Sequence, residues 1–321
     1  MSRILVARVP DCSVGRFSRL EQGLLAAGGE QDLAAAGGEQ ELLAAGRDPV
    51  LLLASLAGSG LLLGRHQRAR SALHLGQARD AGLELSRRAG GGRTLAAGEG
   101  TLGLFLWIPP GAALLPAGTT ADRAVNRLVR GLLAGLRAAG ARDAAYFGRD
   151  FVSSQGRRVA AVSQEGTEGG GVAFEAIVAV GRSLAIPPGL GRYPAHGDPR
   201  AGGPPDATVA EIAGGARDAA AVGEAIARGY AEAHGCELLA QGSEALGVPG
   251  REAPGVAGRE ASGAGGQQVP WVGPEAGAPP VEEDETGLSE SGLAEIPIGF
   301  VEALVRTEGN RLREARLRGD F

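Results

Sequence analysis

Gly60-Leu61-Leu62-Leu63-Gly64-Arg65-His66-Gln67 and, about twenty residues later, Ser86-Arg87-Arg88-Ala89-Gly90-Gly91-Gly92 decide how this chain is read. The first is a short apolar run that breaks into a polar tetrapeptide, the pattern of a buried strand delivering polar groups at its end. The second places two arginines directly before a glycine triplet. Glycines let backbone amides approach anion oxygens, and neighbouring arginines neutralise the charge. A triplet alone is a weak signal, and a second one stands at Gly169-Gly170-Gly171. Context strengthens the first, because Gly100-Thr101-Leu102 opens another strand-like run just downstream.

Working outward, Val50 to Ala54 and Gly60 to Leu63 read as two short buried strands around a glycine-rich turn. Leu102 to Ile108 is a third strand, stopped by Pro109-Pro110. From Thr120 to Ala139, Val125, Leu128, Val129, Leu132, Leu133 and Leu136 recur at helical spacing, with arginines on the solvated face. Val159 to Val162 and Ala176 to Ile186 read as strands, the latter ended by Pro187-Pro188. A Gly/Pro loop leads to Pro205, and a helical region spans Asp206 to Leu238 with Val222, Ile226, Tyr230 and Ala233 on one face. Such a mixture predicts an α/β (α+β) domain over 1–240, a mixed β-sheet flanked by helices. Residues 241–292 are rich in Gly, Pro, Ala and Glu, repeat Gly-Arg-Glu-Ala from Gly250 and Gly258, and read as a disordered linker. The apolar pattern returns over 293–321, a segment too short to fold alone and expected to dock on the main domain or pair with its sheet. An octet beginning at Ala26 recurs from Ala35; two copies do not build a solenoid, so this reads as a local duplication in a helical segment.

Composition narrows the chemistry. All 32 basic residues are arginine, so no lysine Schiff base, general base or phosphate clamp is available. With 37 acidic residues the net charge is -5, which argues against a nucleic-acid partner. Cys12 and Cys236 are too few for a disulfide framework and lie in no metal-ligand pattern, so a reducing cytoplasm is expected and no metal site is read from spacing. The N-terminal apolar run Ile4 to Ala7 is cut by Arg8, Pro10 and Asp11, and Val50 to Leu63 is broken by glycines and shorter than a membrane span, so neither a signal peptide nor a membrane partner is expected.

The ordered series of motifs resembles the lipoate-protein ligase family, within the biotin and lipoate protein ligase group. Gly64-Arg65-His66-Gln67 matches the family's Gly-Arg-x-Gln at a strand end. Ser86 to Gly92 resembles Arg-Arg-x-Ser/Thr-Gly-Gly-Gly, with Arg87 in the place of the second arginine, and Gly100-Thr101-Leu102 resembles the Gly-x-Leu that follows. Gly148-Arg149-Asp150 and Gly156-Arg157-Arg158-Val159-Ala160-Ala161 resemble Gly-Arg-Asn-Asp and Gly-Arg-Lys-Ile-x-Gly. The ending Arg311 to Phe321 is similar to the start of the family's accessory region. The likeness covers most of residues 40–240 and the last ten or so.

The resemblance implies a ligase using ATP and Mg²⁺. Lipoate or octanoate is adenylated with loss of pyrophosphate, and the acyl group passes to a lysine of a lipoyl domain. Acceptors of this kind are lipoyl domains of 2-oxoacid dehydrogenase complexes or the glycine cleavage H protein. Carried over, Arg158 takes the role of the family's lysine and Arg87 joins it as catalytic. Arg88, Gly90, Gly91, Gly92, Arg65 and Asp150 would bind the acyl-adenylate.

Four positions depart from the pattern: Arg158 for Lys, Ala89 for Ser/Thr, Ala161 for Gly, and Phe174-Glu175-Ala176 for His-Gly-Thr. An arginine fork is not equivalent to an ammonium at a tight site. The alternative is a catalytically degenerate relative that binds acyl groups or a lipoyl domain. A third option, from the cysteines, is an acyl transferase using Cys236 or Cys12 as carrier. His66 reads as a polar strand-end residue, and Phe105 and Trp107 as core or as lining of an acyl tunnel.

Overall fold

In the computed structural model, the described residues are 2–27, 48–116, 118–119, 121–167, 169–192, 205–241, 289–296, 299–308 and 311–319. The expected linker at 241–292 lies outside them except for Gln241 and residues 289–292, which belong to strands, and most of the octet duplication lies outside them too. The chain begins with strand β1 (Arg3–Ser13) and helix α1 (Val14–Ala27), followed by β2 (Val50–Ala57) and β3 (Ser59–Leu63). Two short helices, α2 (Ala69–Ala72) and α3 (Leu75–Asp80), lead to β4 (Glu84–Arg87), β5 (Leu95–Gly98) and β6 (Thr101–Ile108). Then come α4 (Ala121–Ala138), β7 (Ala145–Tyr146), β8 (Phe151–Ser154), β9 (Arg157–Gly166) and β10 (Val172–Ala179). Helices α5 (Val209–Ile212) and α6 (Ala219–His234) precede β11 (Glu237–Gln241), and β12 (Ser289–Ile296), β13 (Gly299–Glu308) and β14 (Arg311–Gly319) close the chain.

Eight strands form the main sheet in the order β11-β1-β2-β6-β10-β9-β8-β7. β1 runs parallel to both β11 and β2, and every pairing from β2 outward to β7 is antiparallel. This mixed sheet with flanking helices is the expected fold class. Helices α4 and α6 cover one face around Leu104, Phe174, Leu128, Leu132, Ile226 and Tyr230. On the other face, α1 and a second sheet, β4-β3-β5, enclose Leu52, Phe105, Trp107, Ile177, Phe17 and Leu62. Phe105 and Trp107 are therefore core residues of that second face.

Glycines set the distance between α4 and α6. A Cβ on Gly135 would stand 2.2 Å from the Ile226 Cα, and one on Gly229 would stand 2.4 Å from the Gly131 carbonyl oxygen. The two helices thus touch backbone to backbone, with the Tyr230 ring lying over Gly131.

Several elements differ from expectation, each for a physical reason. β1 runs through Pro10 because the register with β2 shifts between Val9 and Cys12, which frees the proline from the ladder, and Asp11 takes a positive φ of 48°. β2 and β3 are the two strands expected around a glycine-rich turn, with Gly58 at φ 70° between them, but they belong to different sheets. The strand expected from Ala176 to Ile186 instead occupies Val172–Ala179, and past it the amides of Val180, Gly181 and Arg182 all donate to the Gly100 carbonyl. The helix expected from Asp206 to Leu238 is divided. Thr208 and Glu211 form a reciprocal capping box on α5, Asp218 caps α6, and Gly235 ends α6 in the left-handed region, so Glu237 and Leu238 enter β11. The C-terminal strands pair among themselves as a three-stranded antiparallel sheet, β12-β13-β14, not with the main sheet. Among the described residues no helix is long and apolar enough to cross a membrane.

Candidate active site

The stretches Gly60–Gln67 and Ser86–Gly92 meet on the second face of the main sheet. β3 ends at Leu63 and the chain turns at Gly64–Gln67. The Gln67 amide donates to the Gly64 carbonyl at 3.1 Å, and the Gln67 side-chain oxygen accepts from the Gly64 amide at 3.0 Å and from Thr94 Oγ1 at 2.9 Å. The glycine loop lies against this turn. Arg65 donates its amide to the Gly90 carbonyl at 2.9 Å, and a Cβ on Gly64 would stand 1.9 Å from the Gly92 carbonyl oxygen. Glycine is required at both ends of the contact, since Gly92 itself sits at φ 89°.

Arg87 ends β4 and is buried. Its Nη1 donates to the carbonyls of Gly64, Arg65 and Gln67 at 3.0, 3.0 and 2.6 Å. The guanidinium thereby holds the Gly-Arg-x-Gln turn in shape. Arg65 is exposed, with Nη1 3.8 Å from Glu165, and His66 stands 3.5 Å from the same carboxylate.

Arg88 points the other way, into the protein. Its side chain is 3% exposed and its Nη1 donates to Glu175 Oε1 at 2.8 Å and to Ser163 Oγ at 3.3 Å, while Nη2 donates to the Arg93 carbonyl at 3.1 Å. The other oxygen of Glu175 accepts the Gly90 amide at 2.6 Å. Sequence alternation explains this placement. Phe174, Ala176 and Val178 face the helices, so Glu175 faces the opposite side with Ala173 and Ile177. Its ladder partners are Phe105 on β6 and Ser163 on β9. A Cβ on Gly90 would stand 1.8 Å from Ser163 Oγ and 2.8 Å from Glu175, so the glycine is needed to admit this pair.

A second carboxyl adjoins the first. Glu21 on α1 is fully buried and accepts the Ala89 amide at 3.2 Å. Burial, with the neighbouring charge of Glu175, pushes its pKa well above the usual carboxyl range, against the opposing pull of the Ala89 amide and Arg88. The neutral form of Glu21 is thus favoured relative to an exposed carboxyl. Ala89, where the family pattern has a hydroxyl, is buried in the apolar cluster of this face. Glu84 on β4 anchors α1 by accepting from the Gly15 amide at 2.9 Å and from Ser13 Oγ at 3.3 Å, an acid at a helix N-terminus.

Neither Glu21 nor Glu175 was among the expected site residues. The signals were there: Glu175 is the one charge in the apolar strand Val-Ala-Phe-Glu-Ala-Ile-Val-Ala, and Glu21 shares the stripe of Phe17, Leu20 and Leu24 on α1.

Arg158 lies on the same sheet face as Ser163. Val159 and Ala160 both join the helix-side core at a register shift against β8, and this reverses the alternation before Ala161 and Ser163. Arg158 forms a two-pronged pair with Asp206, with Nη2 to Oδ2 at 2.9 Å. Asp206 also accepts from Ser183 Oγ at 3.2 Å. The pairing is fixed by backbone as well, since the Arg158 amide donates to Pro205 and the Ala207 amide donates to Arg158, at 2.9 and 2.8 Å. Five positions separate Arg158 from Ser163, about 16 Å along the strand at ~3.3 Å per residue. The two arginines are thus distinct cation positions on one face. Asp150 stands just before β8, its carbonyl accepting the Val162 amide at 2.9 Å; burial raises the Tyr146 pKa and the charge of Asp150 raises it further.

The cysteines do not resemble acyl carriers. Cys12 and Cys236 are both buried, and burial pushes the Cys12 thiol up to about 12 and raises that of Cys236 as well. A nucleophilic thiolate needs the reverse, so the transferase option finds no support in this geometry. Among the described residues no three His, Cys, Asp or Glu side chains gather to hold a metal ion.

Residues 39–178 match the family model of the lipoyl protein ligase A/B catalytic domain, the segment that contains β2 to β10 and both glycine-bearing motifs. Over that segment the chain is similar to the lipoate-protein ligases. Among solved structures it is similar to P. falciparum LipL1 in complex with lipoate, at 9% identity and a TM-score of 0.62, over 99% of this chain and 85% of that one. It is also similar to the bi-partite lipoate protein ligase of Thermoplasma acidophilum, described with its E2 lipoyl domain, at 16% identity and a TM-score of 0.56 over 76% of this chain and 88% of the other. Lipoate-protein ligase A bound with ATP matches at 14% identity and a TM-score of 0.54, over 76% and 90%. At these identities the likeness concerns the fold. No curated protein matches the chain in sequence.

Proposed function

We propose that this protein is a lipoate- or octanoate-protein ligase. The observation that carries the reading is the interlocked pair of Gly64–Gln67 and Gly90–Gly92 on a ligase-family catalytic fold. In the proposed reaction a carboxylate oxygen of lipoate or octanoate attacks the α-phosphorus of ATP and pyrophosphate departs. The ε-amine of a lipoyl-domain lysine then attacks the acyl carbon, AMP leaves and the amine proton passes to solvent. Catalysis of this kind is electrostatic positioning. Arg158 would hold the phosphate or carboxylate oxygens, and the amides of Gly90, Gly91 and Gly92 would line the ligand. Arg87 would act by fixing the turn that carries Arg65, and Asp150 would border the nucleotide. Mg²⁺ would arrive on the ATP phosphates, because the described residues supply no acidic cluster for it. The acceptors would be lipoyl domains of 2-oxoacid dehydrogenase complexes or the glycine cleavage H protein, in the cytoplasm.

A second reading, an acyl-binding or lipoyl-domain-binding relative without adenylation, is favoured by one specific observation: the cation in the lysine's place is already paired with Asp206 on both prongs. Pyrophosphate release separates the two. Release that needs both ATP and lipoate or octanoate supports the ligase; no release, with binding of the acyl group retained, supports the relative. Arg158→Lys adds direction: a several-fold gain in rate marks a degenerate site, and a several-fold loss marks arginine as the working residue.

A further inference from the structure

Arg158 and Asp206 are brought together by backbone as well as by charge. Residues 205–207 run beside the start of β9 with a parallel bridge at Arg158 and Asp206, tied by the Arg158 amide to Pro205 and the Ala207 amide to Arg158 at 2.9 and 2.8 Å. Two positions on, the capping box of Thr208 and Glu211 anchors this segment to α5. The Asp206 carboxylate is thus fixed opposite one guanidinium. An arginine offers two separate two-pronged edges, a side edge of Nε with Nη2 and an end edge of Nη1 with the second hydrogen of Nη2. Asp206 takes only the side edge, Nε to Oδ1 and Nη2 to Oδ2 at 2.9 Å. Among the described residues nothing accepts from Nη1, which is not sealed inside the protein, and the Arg158 side chain is 22% exposed.

We infer that Asp206 is a positioning residue for adenylation: it holds the side edge of Arg158 so that the end edge is presented, already oriented, to the phosphate or carboxylate oxygens. The inference rests on the ligase reading proposed above. A lysine ammonium is a compact point donor on a flexible stem and needs no such partner, whereas an arginine fork must be aimed. Asp206 therefore belongs with the exchange of lysine for arginine at this position. Ser183 Oγ also donates to Oδ2 at 3.2 Å, so both carboxylate oxygens are engaged on the protein side and the ligand oxygens meet N–H groups. Arg158 then acts through aimed N–H groups more than through net charge, and donors fixed in advance need no reorganisation as charge shifts onto the phosphate oxygens.

The test measures pyrophosphate release from ATP with octanoate or lipoate on the natural protein, Asp206→Asn, Arg158→Lys and the double variant. Asp206→Asn keeps the shape but removes the charge and one of the two acceptors. In the natural background it should lower kcat about tenfold or more, with KM for ATP and for the acid held within about threefold. In the Arg158→Lys background, where no fork remains to be aimed, the same substitution should change kcat by less than about threefold. An Asp206 that merely anchors residues 205–207 would cost the same in both backgrounds, and that result would overturn the inference while leaving the ligase standing. So would a rise in kcat in Asp206→Asn, which would mark the pair as a brake on Arg158. Should Asp206→Asn fail to fold, Asp206→Glu, which shifts the carboxylate by one methylene, must show the same dependence on background. No release by the natural protein with either acid would remove the ligase reading and the inference with it.

Discussion

Glu21 is the residue whose environment departs furthest from that of an ordinary carboxyl group. It is buried beside Glu175 with its pKa raised well above the ordinary value, so as pH rises past about 4.5 the folded chain keeps a proton that the unfolded chain gives up. A raised folded value means that its contribution to stability is fully present below the unfolded value and is lost as pH rises toward the folded one. The denaturation midpoint should therefore fall with rising pH from about 4.5 upward, and Glu21→Gln should flatten that fall; an unchanged slope in urea titrations at several pH values would contradict the assignment. The residues in plain motifs were legible before the structure, and Gly64, Gly90 and Gly92 do come together. Arg87, Arg88 and Arg158 were legible as cations but not as individuals, because a linear pattern does not show which carbonyl or carboxylate will face each one. Glu175 and Asp206, which decide what Arg88 and Arg158 touch, come from β10 and from the segment before α5, far away in sequence.

Among the elements, helix α4 and the central strands were readable from periodicity because burial on one face dictates it. β1 was not, since Pro10 and Asp11 are poor strand formers and only the register shift against β2 accommodates them. The lengths of β9 and β10 were misjudged for a related reason: a strand inside an antiparallel sheet extends as far as its neighbours offer partners, and Arg157–Gly166 is paired along its length by β8 and β10. The α4–α6 contact yields the clearest stability prediction at this scale. Gly135→Ala forces a methyl group to within 2.2 Å of the Ile226 Cα. The helices must separate, and the expected loss is about 1–3 kcal/mol. An exposed control on the solvent side of α4, Arg130→Ala, should move stability by less than about 0.5 kcal/mol. Equal effects of the two substitutions in chemical denaturation would show that the helices do not meet as described.

At the scale of the molecule, the mixed sheet joins residues from β1 to β11 into one layer, with helices on one face and the candidate site on the other. The likeness to lipoate ligases was legible as an ordered series of weak motifs, of which those from Gly64 to Ala161 fall within the catalytic-domain match and the ending Arg311 to Phe321 lies outside it. The separate sheet of β12, β13 and β14 was not, because residues 293–321 read as one segment too short to fold alone, while the strands pair with one another. The account as a whole is tested most directly by intact-mass spectrometry of an unmodified lipoyl domain incubated with this protein, ATP, Mg²⁺ and either lipoate or octanoate. A mass gain of one acyl group, dependent on ATP, is the predicted result. No gain, with a known lipoate ligase modifying the same domain in the same buffer, would contradict it.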